Sequence, residues 1–221
     1  MNRSIAYGDC NTEGLKGELF PLWPEIVSES LTLELTNCGH TMSTTRELLQ
    51  YNRSYPAAHF SFAFIQYGLV DSWLTFRRAP YVLYYPDSLS RKLARKFVKK
   101  IKKLARIWQL QKRLGAVEQV PLEEYRDNIR SVIASAPETQ FVLVATAPNL
   151  DESRNGRIKN YNQALARIAD EFERVVYVDT YDKIWGERRQ TLMDDGTHLT
   201  AIGHQLVAAS VKAVLEEAHA V

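Results

Sequence analysis

Residues 4–14 of the chain are Ser-Ile-Ala-Tyr-Gly-Asp-Cys-Asn-Thr-Glu-Gly. The first four of them predict a short buried strand that ends at Gly8. Polar residues follow the strand at once, and Cys10 stands at the expected start of a helix. Ligands bind beyond the carboxyl ends of the strands in a parallel sheet. The segment therefore predicts the first strand and loop of an α/β protein, with candidate functional residues in the loop.

The rest of the chain continues this order of strand and helix. Further strands are expected at 31–36, 59–67, 140–146 and 173–178. Helices are expected at 24–30, from Thr44 onward, and at 122–135, 158–172 and 201–218. The alternation predicts an α/β fold with a parallel central sheet of about five strands flanked by helices. The length of 221 residues, with 45% hydrophobic and 24% charged residues, favours one soluble domain over 1–221 that includes an insertion.

Composition also limits the class of protein. No apolar run approaches the roughly 18 residues of a membrane span, and the first residues lack the apolar core of a signal peptide. The two cysteines, Cys10 and Cys38, cannot form a disulfide framework. No group of His, Cys, Asp and Glu has metal-ligand spacing, so neither a metal nor another cofactor is expected. We therefore expect a cytoplasmic protein, with peripheral attachment to a membrane surface as an alternative.

The segment 72–120 interrupts the alternation and is expected to form a helical insertion. No Asp or Glu occurs between Ser88 and Val117, where eleven of the 28 basic residues lie. The rest of the chain then holds 17 basic and 26 acidic residues, a formal charge of −9. Apolar residues recur in the basic stretch at steps of three and four, which predicts an amphipathic helix. These residues are Leu93, Phe97, Ile101, Leu104 and Trp108.

The amphipathic helix leaves three interpretations open. It could be a solvated cover over the core, or residues 91–113 could contact a membrane surface or an anionic substrate. Nucleic acid is not expected as a partner, because the basic stretch is single and the body around it is acidic.

A second group of polar residues lies near the end of the chain. Asp195 precedes His198 by three residues on a glycine-containing turn, so its carboxylate can orient one imidazole nitrogen. The other nitrogen is then free to act as a base. Cys10 is the candidate nucleophile, since a helix amino terminus and a neighbouring histidine both favour the thiolate. Glycines such as Gly8 and Gly39 would let the backbone approach a substrate oxyanion.

Four segments, in chain order, resemble the sequence blocks of the SGNH (GDSL-type) hydrolases. They are Gly8-Asp9-Cys10, Asn37-Cys38-Gly39, Gly68-Leu69-Val70-Asp71 and Asp195-Gly196-Thr197-His198. The resemblance covers nearly the whole chain except 72–120, and it implies the flavodoxin-like SGNH hydrolase fold. It further implies a triad of Cys10, His198 and Asp195, with the amides of Cys10 and Gly39 as the oxyanion hole.

Two positions depart from the family pattern. Cys10 replaces the nucleophilic serine, and Val70 replaces the asparagine of the third block, which is an oxyanion donor in the family. A thiolate remains a competent nucleophile, whereas loss of one donor costs about 3 kcal/mol of transition-state stabilisation in other acyl-transfer sites. The residues expected to contact substrate are Asp9, Asn11, His40, Val70 and Asp71.

The resemblance implies an esterase or thioesterase that forms an acyl-enzyme intermediate with a small-molecule or carrier-bound acyl substrate. Two alternatives remain open. A capped, dry site would favour an acyltransferase that passes the acyl group to an amine or alcohol. The replacement at Val70 would suit a catalytically silent binding module with the same fold.

Overall fold

The computed structural model describes residues 2–17 and 19–219, and five of its strands form a parallel central sheet. The strands of the described residues are β1 (Arg3–Gly8), β2 (Glu34–Gly39), β3 (Phe62–Gln66), β4 (Leu74–Phe76), β5 (Ala116–Glu118), β6 (Gln140–Val144) and β7 (Val175–Val178). The central sheet has the order β2-β1-β3-β6-β7, and β4 pairs with β5 as a separate antiparallel ribbon. The predicted parallel α/β fold is therefore confirmed.

Helices cover both faces of the central sheet. They are α1 (Cys10–Glu13), α2 (Trp23–Ser30), α3 (Thr45–Ser54), α4 (Leu89–Ile107), α5 (Leu110–Leu114), α6 (Leu122–Ala134), α7 (Asn155–Ala169), α8 (Tyr181–Gly186), α9 (Arg188–Thr191) and α10 (Ala201–His219). Short 3₁₀ turns lie at Ala57–His59 and Glu152–Arg154. The insertion between β3 and α6 thus contributes the β4–β5 ribbon together with α4 and α5.

The second strand begins later than the sequence predicts. The strand expected at 31–36 starts at Glu34, because a turn first closes α2. In that turn Thr32 has a positive φ of 54°, and the N–H of Leu33 donates to the carbonyl of Ser28 at 2.8 Å. The strand then ends at Gly39, which lies opposite Gly8 of β1.

Alternate residues of each strand pack into two separate cores. Ile5 and Tyr7 of β1 belong to the core beneath α3, α6 and α7, whereas Ala6 belongs to the core beneath α2 and α10. Each large apolar side chain that is fully buried contributes about 1.5–3 kcal/mol to folding. Burial on both faces therefore fixes the strand ends that carry the polar loops.

A buried histidine joins α10 to α2 within the second core. The Nδ1 atom of His204 accepts the backbone N–H of Trp23 at 3.2 Å, so this nitrogen is unprotonated. Burial lowers the pKa of His204 to about 4. The imidazole is therefore neutral in the folded protein at physiological pH.

The aromatic start of the insertion is attached to α3 by a buried carboxylate. Glu47 is fully buried and accepts hydrogen bonds from the hydroxyl of Tyr81 at 2.7 Å and the backbone N–H of Tyr84 at 2.8 Å. The ring of Tyr85 stacks on Tyr51 with 3.7 Å between centroids. These contacts hold residues 81–85 against the body of the protein.

The predicted amphipathic helix is α4, but its apolar stripe does not cover the core. Ile101 of the predicted stripe is half-buried and Ala105 is buried, whereas Leu93, Phe97, Leu104 and Trp108 are between 46% and 66% exposed. The interpretation of the stripe as a core cover is therefore wrong. Within residues 2–17 and 19–219, no helix has both the length and the hydropathy needed to cross a bilayer.

The neutral histidine of the second core predicts a loss of stability in acid. Because the pKa of His204 is about 4 in the folded protein against 6.5 in a model peptide, the unfolded chain takes up this proton first. The neutral imidazole of His204 contributes stability that is present above pH 6.5. The free energy of unfolding loses this contribution as the pH falls towards 4, by about 3 kcal/mol in total. Urea unfolding across this pH window measures the effect.

His204→Gln is the matched variant, since its amide oxygen can still accept the N–H of Trp23 but does not titrate. The raised pKa values of Asp9 and Asp71 act in the opposite direction, so the quantity to compare is the difference between the two proteins. We expect wild type to lose stability relative to His204→Gln as the pH falls. Parallel pH profiles would contradict the assignment.

Candidate active site

Cys10 lies at the junction of β1 and α1. The side chain of Asp9 caps α1 by accepting the N–H of Asn11 at 3.0 Å. Position 8 requires glycine, because a Cβ there would lie 2.0 Å from Oγ1 of Thr12. Cys10 itself is only 5% exposed, so the candidate nucleophile is almost completely shielded from water.

The thiol of Cys10 is protonated at neutral pH, which corrects the expectation of a stabilised thiolate. Burial raises its pKa well above the usual range, and the negative charge of Asp9 raises it further. The N–H groups of Cys10 and Asn11 act in the opposite direction but do not compensate. Because α1 spans only Cys10–Glu13, its dipole is short and offers little stabilisation to an anion. Nucleophilic attack by this thiol therefore requires a base.

His198 and Asp195 form a hydrogen-bonded pair on the loop before α10. Oδ1 of Asp195 accepts the backbone N–H groups of Thr197 at 2.9 Å and His198 at 3.0 Å. Its Oδ2 pairs with Nδ1 of His198. Burial alone would raise the pKa of Asp195, but the hydrogen bonds from His198 and Thr197 lower it overall. The carboxylate is thus charged and fixes the imidazole with Nε2 left available as a base.

The side chain of Asn11 connects this pair to the nucleophile loop. Its Nδ2 donates to the carbonyl of Thr197 at 3.2 Å, and its Oδ1 accepts the N–H of Leu199 at 3.0 Å. One amide thus holds both neighbours of His198, and it belongs to the residue directly after Cys10. Asn11 was expected to contact substrate, and in the structure both of its polar atoms bind the histidine loop.

Charges on the histidine loop influence the titration of Asp9 and Cys10. Burial raises the pKa of Asp9 to about 6, and the N–H of Asn11 and the nearby His198 partly offset that rise. Asp195 in turn raises the pKa of Cys10. Within the described part of the chain, no hydrogen bond joins the thiol of Cys10 to the imidazole of His198. Such contacts are commonly long in a resting site and shorten when substrate binds.

The expected oxyanion hole is only partly open in this structure. The N–H of Gly39 donates to Oδ1 of Asn37 at 2.8 Å, so it is already engaged. Val70 is buried, and its side chain offers no donor. The amide of Cys10 faces its own sulfur closely enough to lower the thiol pKa. Of the two expected amide donors, the N–H of Gly39 is thus the one that Asn37 occupies in this structure.

The two remaining predicted contact residues are His40 and Asp71, and both bond to the segment at or before the start of α3. Nδ1 of His40 donates to the carbonyl of Thr41 at 2.8 Å, which leaves Nε2 for other partners. Asp71 is fully buried, and its Oδ1 accepts the N–H and the hydroxyl of Thr45 at 2.9 and 2.8 Å. Burial raises the pKa of Asp71 to about 7. In this structure Asp71 anchors the start of α3.

A second amide, which was not among the predicted site residues, also holds the histidine loop. Asn149 is buried, and its Nδ2 donates to Oγ1 of Thr197 at 2.9 Å. Asn155 fixes Asn149 in turn by accepting its backbone N–H at 2.8 Å. A signal was available, because Asn149 follows β6 at the same edge of the sheet as Gly8 and Gly39, where ligand-binding residues concentrate.

A cationic cavity of about 710 Å³ lies between the insertion and the segments that follow β2, β3 and β6. Its wall includes Met42 and Trp73, each two residues beyond a predicted contact residue, His40 and Asp71 respectively. None of the three triad residues lines it. The charged residues of the wall are Lys102, Arg106, Lys112, Asp151, Arg154 and Arg157. With five cations and one carboxylate, the cavity is positively charged.

Comparison with known proteins shows the same architecture in enzymes. The model of the GDSL-like Lipase/Acylhydrolase family matches residues 6–206. A lipase/acylhydrolase from Enterococcus faecalis has a TM-score of 0.68 at 16% identity, covering 98% of this chain and 97% of its own. A catalytic mutant of Axe2, an acetylxylan esterase from Geobacillus stearothermophilus, has a TM-score of 0.64 at 19% identity, covering 98% and 94%. No curated protein matches the chain. At these identities the solved structures establish the fold.

The two hydrogen bonds of Asn11 predict a positioning role. Asn11→Ala removes both contacts to the histidine loop, and a displacement of about 1 Å at a reacting group can cost on the order of a hundredfold in rate. We expect kcat for ester hydrolysis to fall by that order while KM changes little, because the cavity wall is untouched. Steady-state kinetics on a chromogenic ester measures both constants.

Asn160→Ala is the matched control, since Asn160 is exposed on α7. It should leave both constants unchanged. An Asn11→Ala protein with wild-type kcat, or one with only KM raised, would show that Asn11 does not position His198.

Proposed function

The chain belongs to the GDSL-like lipase/acylhydrolase family, and we propose that it cleaves its ester or thioester substrate through an acyl intermediate on Cys10. Family membership makes the protein a hydrolase of ester bonds. The nucleophile, the base and the covalent intermediate are the proposed part. The observation that carries the proposal is the pair of hydrogen bonds by which Asn11, next to Cys10, holds both neighbours of His198.

The protonated thiol determines the order of events in the first half of the reaction. Nε2 of His198 accepts the thiol proton as Sγ of Cys10 bonds to the acyl carbon, and Asp195 stabilises the imidazolium that results. The tetrahedral intermediate collapses when the bond to the leaving oxygen or sulfur breaks. His198 then delivers the proton to that leaving group, and a thioester remains on Cys10.

The second half reverses these roles. His198 accepts a proton from water, the water oxygen bonds to the acyl carbon, and the bond between that carbon and Sγ breaks. The carboxylic acid leaves, and the proton on His198 passes to the Sγ thiolate of Cys10, which restores the thiol. If an amine or alcohol took the place of water, the same steps would transfer the acyl group.

The covalent step predicts an acyl adduct on Cys10. Intact-protein mass spectrometry after rapid mixing with an activated ester should show one added acyl group, and Cys10→Ala should abolish it. His198→Ala should form the adduct far more slowly, because the protonated thiol loses its base. Because the site relies on base assistance rather than on a preformed thiolate, we expect Cys10→Ser to keep ester turnover within about tenfold of wild type.

The same variants separate the alternatives. Faster loss of the adduct with added amine or alcohol, with a new acylated product, would indicate an acyltransferase. Absence of both adduct and turnover in wild type would indicate a silent binding module. Equal turnover in wild type, Cys10→Ala and Cys10→Ser would exclude Cys10 as the nucleophile.

We propose further that the cationic cavity receives an anionic group of the substrate. Arg154 is paired with Asp151 at 3.0 Å, and Lys102 donates to Gln119 at 2.9 Å. Arg106 and Lys112 have no carboxylate within ion-pair distance among the described residues. A phosphate or carboxylate carried by the substrate would form ion pairs with these two side chains.

This charge predicts a preference between matched substrates. We expect KM to be lower for an ester whose acyl chain ends in a carboxylate than for the neutral chain of equal length. The double change Arg106→Gln and Lys112→Gln should remove the preference, an effect of about tenfold at low salt that shrinks as salt is added. Arg113→Gln, at an exposed neighbouring position outside the cavity wall, should keep it. A preference that survives the double change would locate the anion elsewhere.

A further inference from the structure

The outer side of α4 carries an exposed apolar stripe, defined as Leu89, Leu93, Phe97, Leu104 and Trp108. These residues are 46% to 80% exposed. Their spacing of four or seven residues places them along one side of the helix. Single exposed apolar residues are ordinary on protein surfaces, whereas several grouped along one side of a helix mark a surface that contacts something else.

Unpaired lysines border this stripe. Asp87 pairs with Lys92 at 2.9 Å and with Arg95 at the start of the helix. No Asp or Glu follows until Glu118. Among the described residues, no carboxylate lies within ion-pair distance of Lys96, Lys100 or Lys103, which are all exposed. The outer side of α4 is therefore both apolar and strongly positive.

Polar contacts on the inner side hold the helix in this orientation. Arg95 donates to the carbonyl of Leu83 at 3.0 Å, and Nζ of Lys102 donates to Oε1 of Gln119 at 2.9 Å. Ala105 is buried on the same helix. Rotating α4 to bury the stripe would break these contacts and bury the charge of nearby lysines. The outward orientation of the stripe is thus part of the fold.

We propose that the outer side of α4 binds the surface of an anionic lipid bilayer. The apolar stripe would enter the boundary between headgroups and acyl chains, and Lys96, Lys100 and Lys103 would contact lipid phosphates and carboxylates. Trp108 lies at the end of the helix, and its amphipathic indole suits the headgroup region. This contact does not depend on the chemistry at Cys10.

Charge favours a lipid surface over a second copy of the chain. A symmetric contact between two copies places the same surface patch on both sides. Two such segments, each without an acidic residue between 88 and 117, would repel each other. An anionic bilayer supplies the missing negative charge and covers the apolar stripe at the same time.

Co-sedimentation of the full chain with vesicles tests the proposal. We expect binding to phosphatidylcholine vesicles that contain phosphatidylserine, weaker binding to pure phosphatidylcholine, and loss of binding at high salt. The triple change of Lys96, Lys100 and Lys103 to Glu should weaken binding at least a hundredfold. The double change Phe97→Ser and Trp108→Ser should abolish it, while circular dichroism shows an intact fold.

Matched changes elsewhere on the surface serve as controls. One control changes three exposed cations outside α4, Arg53, Arg167 and Arg189, to Glu. The other combines Leu19→Ser with Tyr55→Ser. Both should retain most of the vesicle binding. The blue shift of tryptophan fluorescence on vesicle binding should disappear in Trp108→Phe, which still binds. Light scattering of the free protein should show a monomer.

Three results would overturn the proposal. The first is failure of the wild-type chain to bind anionic vesicles at low salt. The second is equal loss of binding in the control variants. The third is a wild-type dimer that Phe97→Ser dissociates, since a second copy would then cover the stripe. Ester hydrolysis in solution is measured separately, so a failure here leaves the proposed catalytic function untouched.

Discussion

The parallel register of β1 with its two neighbours is the constraint on which the candidate site depends. Gly8 lies opposite both Gly39 of β2 and Gln66 of β3, so three strands end at one level and their loops converge. A Cβ at Gly39 would lie 2.4 Å from the backbone nitrogen of Glu13. Neither Gly8 nor Gly39 has a positive φ. These glycines therefore serve close packing of α1 against the strand ends, which is what places Cys10 at the edge of the sheet.

Two asparagine side chains then bring the end of the chain to this edge. Asn11 reaches Thr197 and Leu199 from the β1 loop, and Asn149 reaches Thr197 from the β6 loop. The histidine loop is thus held from two fixed elements, with Asn11 bonded on both sides of His198 and Asn149 bonded to Thr197 alone. This arrangement supplies a precisely held base, which a buried, protonated thiol needs. The same base would also activate the hydroxyl of a serine, so cysteine in place of serine at position 10 requires no other change in the mechanism.

Sequence patterns located the strands and the polar loops because both depend on local signals. A short apolar run followed by glycine predicts a buried strand and its end, and Asp195 and His198 are close enough along the chain for their pairing to be predicted. The pKa of Cys10 was not predictable in this way, because it depends on burial and on the charge of Asp9. The engagement of the Gly39 amide by Asn37 was equally hidden, since the spacing of the block is compatible with a free or a bonded N–H.

Which side of α4 faces the body of the protein could not be predicted from the sequence pattern either. Steps of three and four residues identify an apolar stripe but do not say whether it faces inward, and the more buried positions of α4 are Ala94, Val98, Ile101 and Ala105. Small residues there allow the helix to lie close to the body, so Lys102 and Arg106 reach the cavity wall. One helix thus separates a cationic cavity beside the site from an apolar, lysine-bordered outer surface. If that surface rests on a bilayer, the cavity lies one helix diameter, about 10 Å, from the lipid headgroups. A substrate that carries both an acyl ester and a negative charge would then meet complementary groups on both sides of α4.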